Sequence, residues 1–251
     1  MLEFDLMFFA IGVPAVLFAG VSKGGFGSGA SFASASILAL YLEPGLALGV
    51  MLPMLMLIDL SALRPYWKRW HWSDARLLIA GGVPGVALGA LLYEAADADL
   101  LRLLIGAISI GFVAWQLGFS KFRQRMNRAR LPAFAGLFAG LVAGFTSFIS
   151  HAGGPPAAVY LLSQKLDKTQ YQATTVLVFW VLNIVKFVPY AFLGLFTMQT
   201  LLANVVLAPF AVLGTWMGVR AHQLVPERLF FAMTYALLLA TGSKLIWDAL
   251  V

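Results

Sequence analysis

Apolar residues along this chain come in long blocks separated by short polar loops. The blocks lie at about 76–93, 100–118, 131–149, 170–193, 198–219 and 227–247, each near the roughly 20 residues that carry a helix across a hydrocarbon core. Transmembrane strands, about ten residues long with alternating polarity, do not fit this pattern. Residues 6–42 form a longer apolar stretch, bounded by Glu3 and Asp5 before it and Glu43 after it. Its middle is Lys23-Gly24-Gly25-Phe26-Gly27-Ser28-Gly29. The stretch is too long for one crossing of a core about 30 Å thick, and too rich in glycine at its centre for one continuous helix. It is predicted to be a membrane segment broken at its middle, with a charge at the break.

Composition agrees with that reading. Of 251 residues 61% are hydrophobic and 11% charged, against about 25% charged in soluble domains, and the mean hydropathy is +0.87. The chain is predicted to be an all-α polytopic integral membrane protein with no appended soluble domain. The first five residues carry two acids and no base, so the first segment is expected to be retained rather than cleaved as a signal peptide. The absence of cysteine excludes disulfides, thiolate nucleophiles and cysteine-ligated metals. The net charge of +6 does not indicate nucleic acid, because the basic residues sit in short loops beside apolar helices, where topology signals belong.

Sliding the chain against itself reveals a repeat. Ala19/Ala143, Gly20/Gly144, Gly29/Gly153, Pro65/Pro189 and Tyr66/Tyr190 are each 124 apart, as is the related pair Asp59/Asn183. After a one-residue insertion the offset is 125, matching Pro84 with Pro209 and Gly89 with Gly214. Helix-breaking residues coincide, which is more telling than matched leucines in an apolar chain. Residues 1–125 and 126–251 are therefore expected to be two units of one design, joined by the basic stretch 120–130, which the positive-inside rule makes cytoplasmic.

Charge also predicts how the broken segments lie. If 6–42 and 131–164 each enter and leave on one side, the loops at 64–76, 119–131, 165–168 and 220–228 all face the cytoplasm and hold 13 of the 17 Lys and Arg. If each crosses once, the second half flips and the bias weakens. The first arrangement gives each half a broken-helix hairpin plus three crossings, an odd number, so the halves insert in opposite orientations. That is the inverted-topology plan of many secondary transporters.

Helix starts at such breaks offer free N–H groups with positive partial charge, and glycine admits a ligand to the backbone. Gly24, Gly25, Gly27 and Ser28 at the first break, with Ser147, Ser150, His151, Gly153 and Gly154 at the second, are candidate binding residues. Pro155 and Pro156 are compatible with a new helix and not with continuation of the old one. The competing reading of the glycines is tight helix packing. Lys23 and Lys186 are ammonium groups at membrane depth, costly unless they face a partner or a wet cavity; with the hairpin dipoles they define an anion site. Asp59 is the only acid predicted within the membrane, either a salt-bridge partner of Lys23 or Arg64 or a proton-coupling group. Asn183, its repeat mate, and His151 are candidates for orienting a ligand, and His151 is a second candidate for proton coupling. Ser31 and Thr146 add hydroxyls near the breaks. Gly25-Phe26-Gly27 completes no nucleotide fingerprint. His71, Asp74 and His222 lack metal-ligand spacing.

The glycine-rich break Gly20-Val21-Ser22-Lys23-Gly24-Gly25-Phe26-Gly27, its echo from Gly144 to Pro155, the basic central loop and the length together resemble the TauE/SafE family of sulfite exporters and sulfonate permeases, over the whole chain. The resemblance implies movement of small sulfur-containing anions across the bacterial cytoplasmic membrane, in either direction. The chain departs from the usual pattern where Ser28-Gly29-Ala30-Ser31 stands in place of a proline after the glycines, and in having lysine at position 23. Both changes suit a strongly anionic ligand. The expected function is a secondary transporter binding a sulfite or sulfonate between the two hairpins, with alternating access. The alternatives are a small-anion channel and an intramembrane enzyme using Asp59 and His151. No cofactor is called for. The expected partners are the lipid bilayer, a small anion and a coupling ion, either H+ or Na+; a homo-oligomer is compatible with the sequence.

Overall fold

The computed structural model describes residues 4–26, 31–118, 130–221 and 227–251. Gly27 and Ser28 of the candidate site, the basic stretch 120–129 and His222 lie outside them. Among the described residues all regular structure is helical: α1 Leu6–Val21, running on as a π-helical turn Ser22–Phe26, α2 Ala33–Leu38, α3 Pro44–Leu63, α4 Trp72–Ala95, α5 Ala98–Gly118, α6 Ala133–Ser150, α7 Gly154–Ser163, α8 Lys168–Phe192, α9 Met198–Ala221 and α10 Glu227–Leu250. Seven described helical stretches are long and apolar enough to cross a membrane: Leu6–Phe26, α3, α4, α5, α6, α8 and Met198–Arg220.

Local chemistry sets the starts. Asp5 caps α1 by accepting from the Phe8 N–H at 2.7 Å, and Asp167 caps α8 by accepting from the Gln170 N–H at 2.8 Å, each satisfying an orphan amide of the first turn. Pro44 opens α3, where its missing N–H costs nothing. The chain breaks between Ser150 and Gly154, as the glycine-proline run predicts.

Both broken segments return to the end they started from. Tyr41, after α2, donates its hydroxyl to Asp5 at 2.9 Å. Leu131, before α6, donates its N–H to Ser163 Oγ at 3.3 Å and accepts from Gln164 Nε2 at 3.0 Å, both at the close of α7.

The two halves are interleaved rather than set side by side. α1 runs along α9 in the same direction, with Gly12 beside Leu207, Gly20 beside Thr215 and Gly25 beside Gly218; α6 runs along α4 in the same way, with Gly140 beside Leu78, Gly144 beside Gly82 and Gly89 beside Phe148. A Cβ on Gly20 would lie 2.7 Å from the Thr215 nitrogen, so the small residues are what let the backbones approach. α3 and α8 cross antiparallel at the centre: Gly49 lies against Leu195, Asp59 meets Asn183, and Ala62 and Tyr66 cluster with Ala173 and Val176. α5 pairs with α10 through Gly106 and Gly242. Apolar clusters pack around the central pair, leaving polar groups buried along it.

Candidate anion site

α3 and α8 each turn one face inward. On α8 that face carries Gln172, Phe179, Asn183, Lys186 and Tyr190; the residues 124 positions earlier are Leu48, Leu55, Asp59 and Ala62 on α3, and Tyr66 in the turn just past its end. The spacings of three, four and seven keep each set on one side of its helix. The ends of α1 and α6 come in against this seam, and equivalent hydrogen bonds hold them. Tyr66 donates its hydroxyl to the Gly24 carbonyl at 2.9 Å, and Tyr190 donates to the Phe148 carbonyl at 2.6 Å. Both acceptor and donor pairs are 124 apart. Gln172 Nε2 adds a bond to the Lys23 carbonyl at 2.5 Å. These donors satisfy carbonyls that a helix end otherwise leaves orphaned.

Four ionisable side chains meet there. Lys23 Nζ lies 2.5 Å from Asp59 Oδ1, with both side chains buried, and the other carboxylate oxygen accepts from Asn183 Nδ2 at 2.7 Å. Asp59 thus takes Lys23, not Arg64, as its partner. Lys186, fully buried, contacts the Ser147 carbonyl at 3.1 Å, Ser147 Oγ at 2.9 Å and His151 Nδ1 at 3.0 Å. Three acceptors around one ammonium use all three of its N–H groups. Acceptance at Nδ1 requires a neutral imidazole whose proton is on Nε2, and His151 Nε2 is buried without a hydrogen bond, with the Leu48 backbone as a polar neighbour. His151 reaches this place because it caps α6 in the left-handed conformation, φ 56°, rare for a residue with a Cβ and several-fold commoner for histidine than for most.

Lys23, Ser31, Leu55, Ser147, His151, Gly154, Phe179 and Asn183 enclose a cavity of about 10 Å³ for the centre of a water-sized sphere, room for a single water. Its lining includes two pairs of repeat mates, Lys23 with Ser147 and Leu55 with Phe179. The Phe179 ring lies 5.8 Å from Lys23 Nζ, within range of a cation–π attraction.

Of the described residues singled out in the sequence, Lys23, Ser31, Ser147, His151, Gly154 and Asn183 line the cavity together, and Lys186 reaches it through Ser147 and His151. Gly24, Gly25, Gly153 and Ser150 do not. Gly24 and Gly25, expected to offer free N–H groups at a helix start, lie in the wound end of α1. A Cβ on Gly24 would sit 2.5 Å from the Thr215 carbonyl oxygen, and Gly25 abuts Gly218. They are packing glycines, because α9 lies against the wound turn. Gly153 is another, pressed on the Ala143 carbonyl and the Phe179 ring. Ser150 spends its hydroxyl on the Thr146 carbonyl at 3.1 Å, and Thr146 bonds the Val142 and Ala152 carbonyls. The start of α7 offers few donors, since Pro155 and Pro156 have no N–H. Positive character at this site therefore comes from ammonium groups far more than from a helix dipole. Leu55, Phe179 and Gln172 were not singled out in the sequence, although their spacing from Asp59, Asn183 and Lys186 places them on the same faces. His71 and Asp74 hydrogen-bond each other at 2.8 Å, and Asp74 also accepts from the Tyr160 hydroxyl; no metal cluster is found among the described residues.

A buried seam that brings two lysines and one carboxylate together between broken helices suits an anion carrier, and the family profile described as sulfite exporter TauE/SafE matches residues 12–245. The chain belongs to the TauE/SafE family. Comparison with curated proteins and with solved structures gave no match. Membership makes this TauE/SafE protein a multi-pass membrane transporter of the sulfur-anion exporter type.

Proposed function

We propose that this TauE/SafE protein is a secondary transporter that carries a small sulfur oxyanion, sulfite or a sulfonate, across the bacterial cytoplasmic membrane by alternating access. The observation that carries the reading is the cavity at the α3–α8 seam, lined by Lys23, which pairs with Asp59, and by Ser147 and His151, which hold Lys186. Lys186 and Lys23 attract the anion, Ser147, Asn183, the His151 Nε2–H and the Gly154 backbone orient it, and Asp59 or His151 carries the coupling when the ion is a proton.

Residues 1–125 and 126–251 act as two repeats of opposite orientation. Support comes from the matched Tyr66 and Tyr190 bonds, from the exchange of α1 onto α9 and α6 onto α4, and from hairpins that close at the starts of two antiparallel helices. A sulfonate is several times larger than the present cavity, so it enters only when one hairpin end moves off the seam. A cavity of one-water size favours a carrier over an open pore.

The test is a thermal-shift panel on detergent-purified protein with sulfite, thiosulfate, isethionate, taurine, phosphate and acetate. An anion at a hundred times its Kd stabilises by about 2.7 kcal/mol, and Lys186→Met is expected to remove the shift. Equal shifts with every anion, or a selective shift that survives Lys186→Met, would sink the proposal.

A further inference from the structure

The seam contains a charge imbalance with a specific structural origin. Lys23 and Ser147 are repeat mates, and so are Ala62 and Lys186. In the first half the lysine stands on the hairpin and alanine on the central helix; in the second, serine stands on the hairpin and lysine on the central helix. Each half thereby delivers one ammonium to the same seam by a different route, Lys23 to Asp59 and Lys186 to Ser147. The carboxylate is not duplicated: the mate of Asp59 is Asn183, an amide. Among the described residues no carboxylate lies within ion-pair distance of Lys186, and Asp59 acts on it only at longer range. With Lys23 and Lys186 as ammonium groups, the form that three acceptors around Lys186 Nζ suit, Asp59 as carboxylate and His151 neutral, the buried seam holds one positive charge in excess.

An uncompensated charge in a medium of low dielectric costs several kcal/mol even after relaxation. A ligand that supplies one negative charge at this place removes the cost, and one that supplies two replaces it with an excess of the opposite sign. Resting on the transport reading above, we infer that the site is matched to a singly charged anion, seated where the repeat would put a second carboxylate, and that a doubly charged anion is carried only together with one proton. The proton goes to Asp59. A dianion engages Lys23 as well as Lys186, so Asp59 loses its counter-ion while keeping the Asn183 amide. The other groups facing Asp59 are the Lys23 ammonium from the end of α1 and Lys186 from α8; Tyr66 and Tyr190 donate to backbone carbonyls and carry no charge.

The experiment measures binding of methanesulfonate and of sulfate to purified full-length protein by calorimetry in buffers of differing ionisation enthalpy, which counts protons taken up. Methanesulfonate is expected to bind with no proton uptake. Sulfate is expected to bind with one, its affinity falling about tenfold per pH unit, the slope of a single linked proton. Two variants move the count in opposite directions. Asn183→Asp supplies the missing carboxylate and is expected to weaken methanesulfonate at least tenfold. Asp59→Asn leaves two excess charges; it is expected to bind sulfate without proton uptake and to regain melting temperature when sulfate is added. If Asp59→Asn does not fold, the wild-type proton count and Asn183→Asp still decide. Sulfate binding without a proton in the wild type, or methanesulfonate binding unchanged in Asn183→Asp, overturns the charge-matching inference and leaves the transport reading standing. Binding of neither anion, together with no selective shift in the panel above, overturns both.

Discussion

Replacing Lys23 with methionine tests whether the Lys23–Asp59 pair holds the protein together as well as serving its ligand. Methionine matches the length of the lysine stem but carries no charge, so Asp59, fully buried, would keep only the Asn183 amide at 2.7 Å. Removing one partner of a buried ion pair costs about 3–5 kcal/mol, because the remaining charge is stranded. For a chain of this length each kcal/mol moves the melting temperature by about 2–4 °C, so Lys23→Met should melt roughly 6–20 °C below wild type. Asp59→Asn should melt lower for the mirror reason. The double variant Lys23→Met/Asp59→Asn leaves neither member of the pair facing a lost partner, and the two losses should fall short of additive by about 2 kcal/mol. The assay is a melt of the four proteins in one detergent, without added anions. A single Lys23→Met variant that melts within about 2 °C of wild type, or strictly additive losses, would refute the buried pair as a structural element.

Four further outcomes are expected. Gly144→Ala, which drives a Cβ into the Gly82 backbone, should lower stability by about 1–3 kcal/mol, whereas Gly111→Ala, with nothing within 4 Å, should be neutral or stabilising by up to about 1 kcal/mol; melting temperatures decide. Tyr66→Phe and Tyr190→Phe each leave a buried carbonyl unpaired and should cost about 1–3 kcal/mol apiece, with similar losses in the two halves. The Phe8 N–H and the Tyr41 hydroxyl hold the Asp5 carboxyl below the ordinary carboxylate range, so its contribution is present above the unfolded value and is lost as pH falls through the folded one; the acid side of the melting profile should flatten in Asp5→Asn. Because the chain has no cysteine, single cysteines at Tyr41 and Gln164, where the two hairpins close, report topology directly: a membrane-impermeant maleimide should reach them from opposite sides of intact vesicles.

Much of the architecture was legible in the sequence because the bilayer imposes it. Helices of about 20 apolar residues are the economical way to satisfy backbone groups in hydrocarbon, so block lengths revealed the crossings, and the glycine-proline run after Ser150 marked a break. The chemistry of the site was legible in part, since an ionisable residue at membrane depth is conspicuous: Lys23, Asp59 and Lys186 stood out by type alone. The sequence left open which of them meet. It offered Asp59 two partners, and the crossing of α3 and α8 selects Lys23 and Asn183. It offered the glycines two roles, and the run of α9 along α1 turns Gly24 and Gly25 to packing, because close helix approach depends on a neighbour that one-dimensional pattern does not identify. Phe179 and Gln172 look like ordinary members of a buried helix until the hairpin end arrives beside them. The sequence by itself determined the helical spans and the inventory of ionisable groups within them; the tertiary structure alone decided the pairing, because at low dielectric the energy of a charge depends on the few ångströms to its partner.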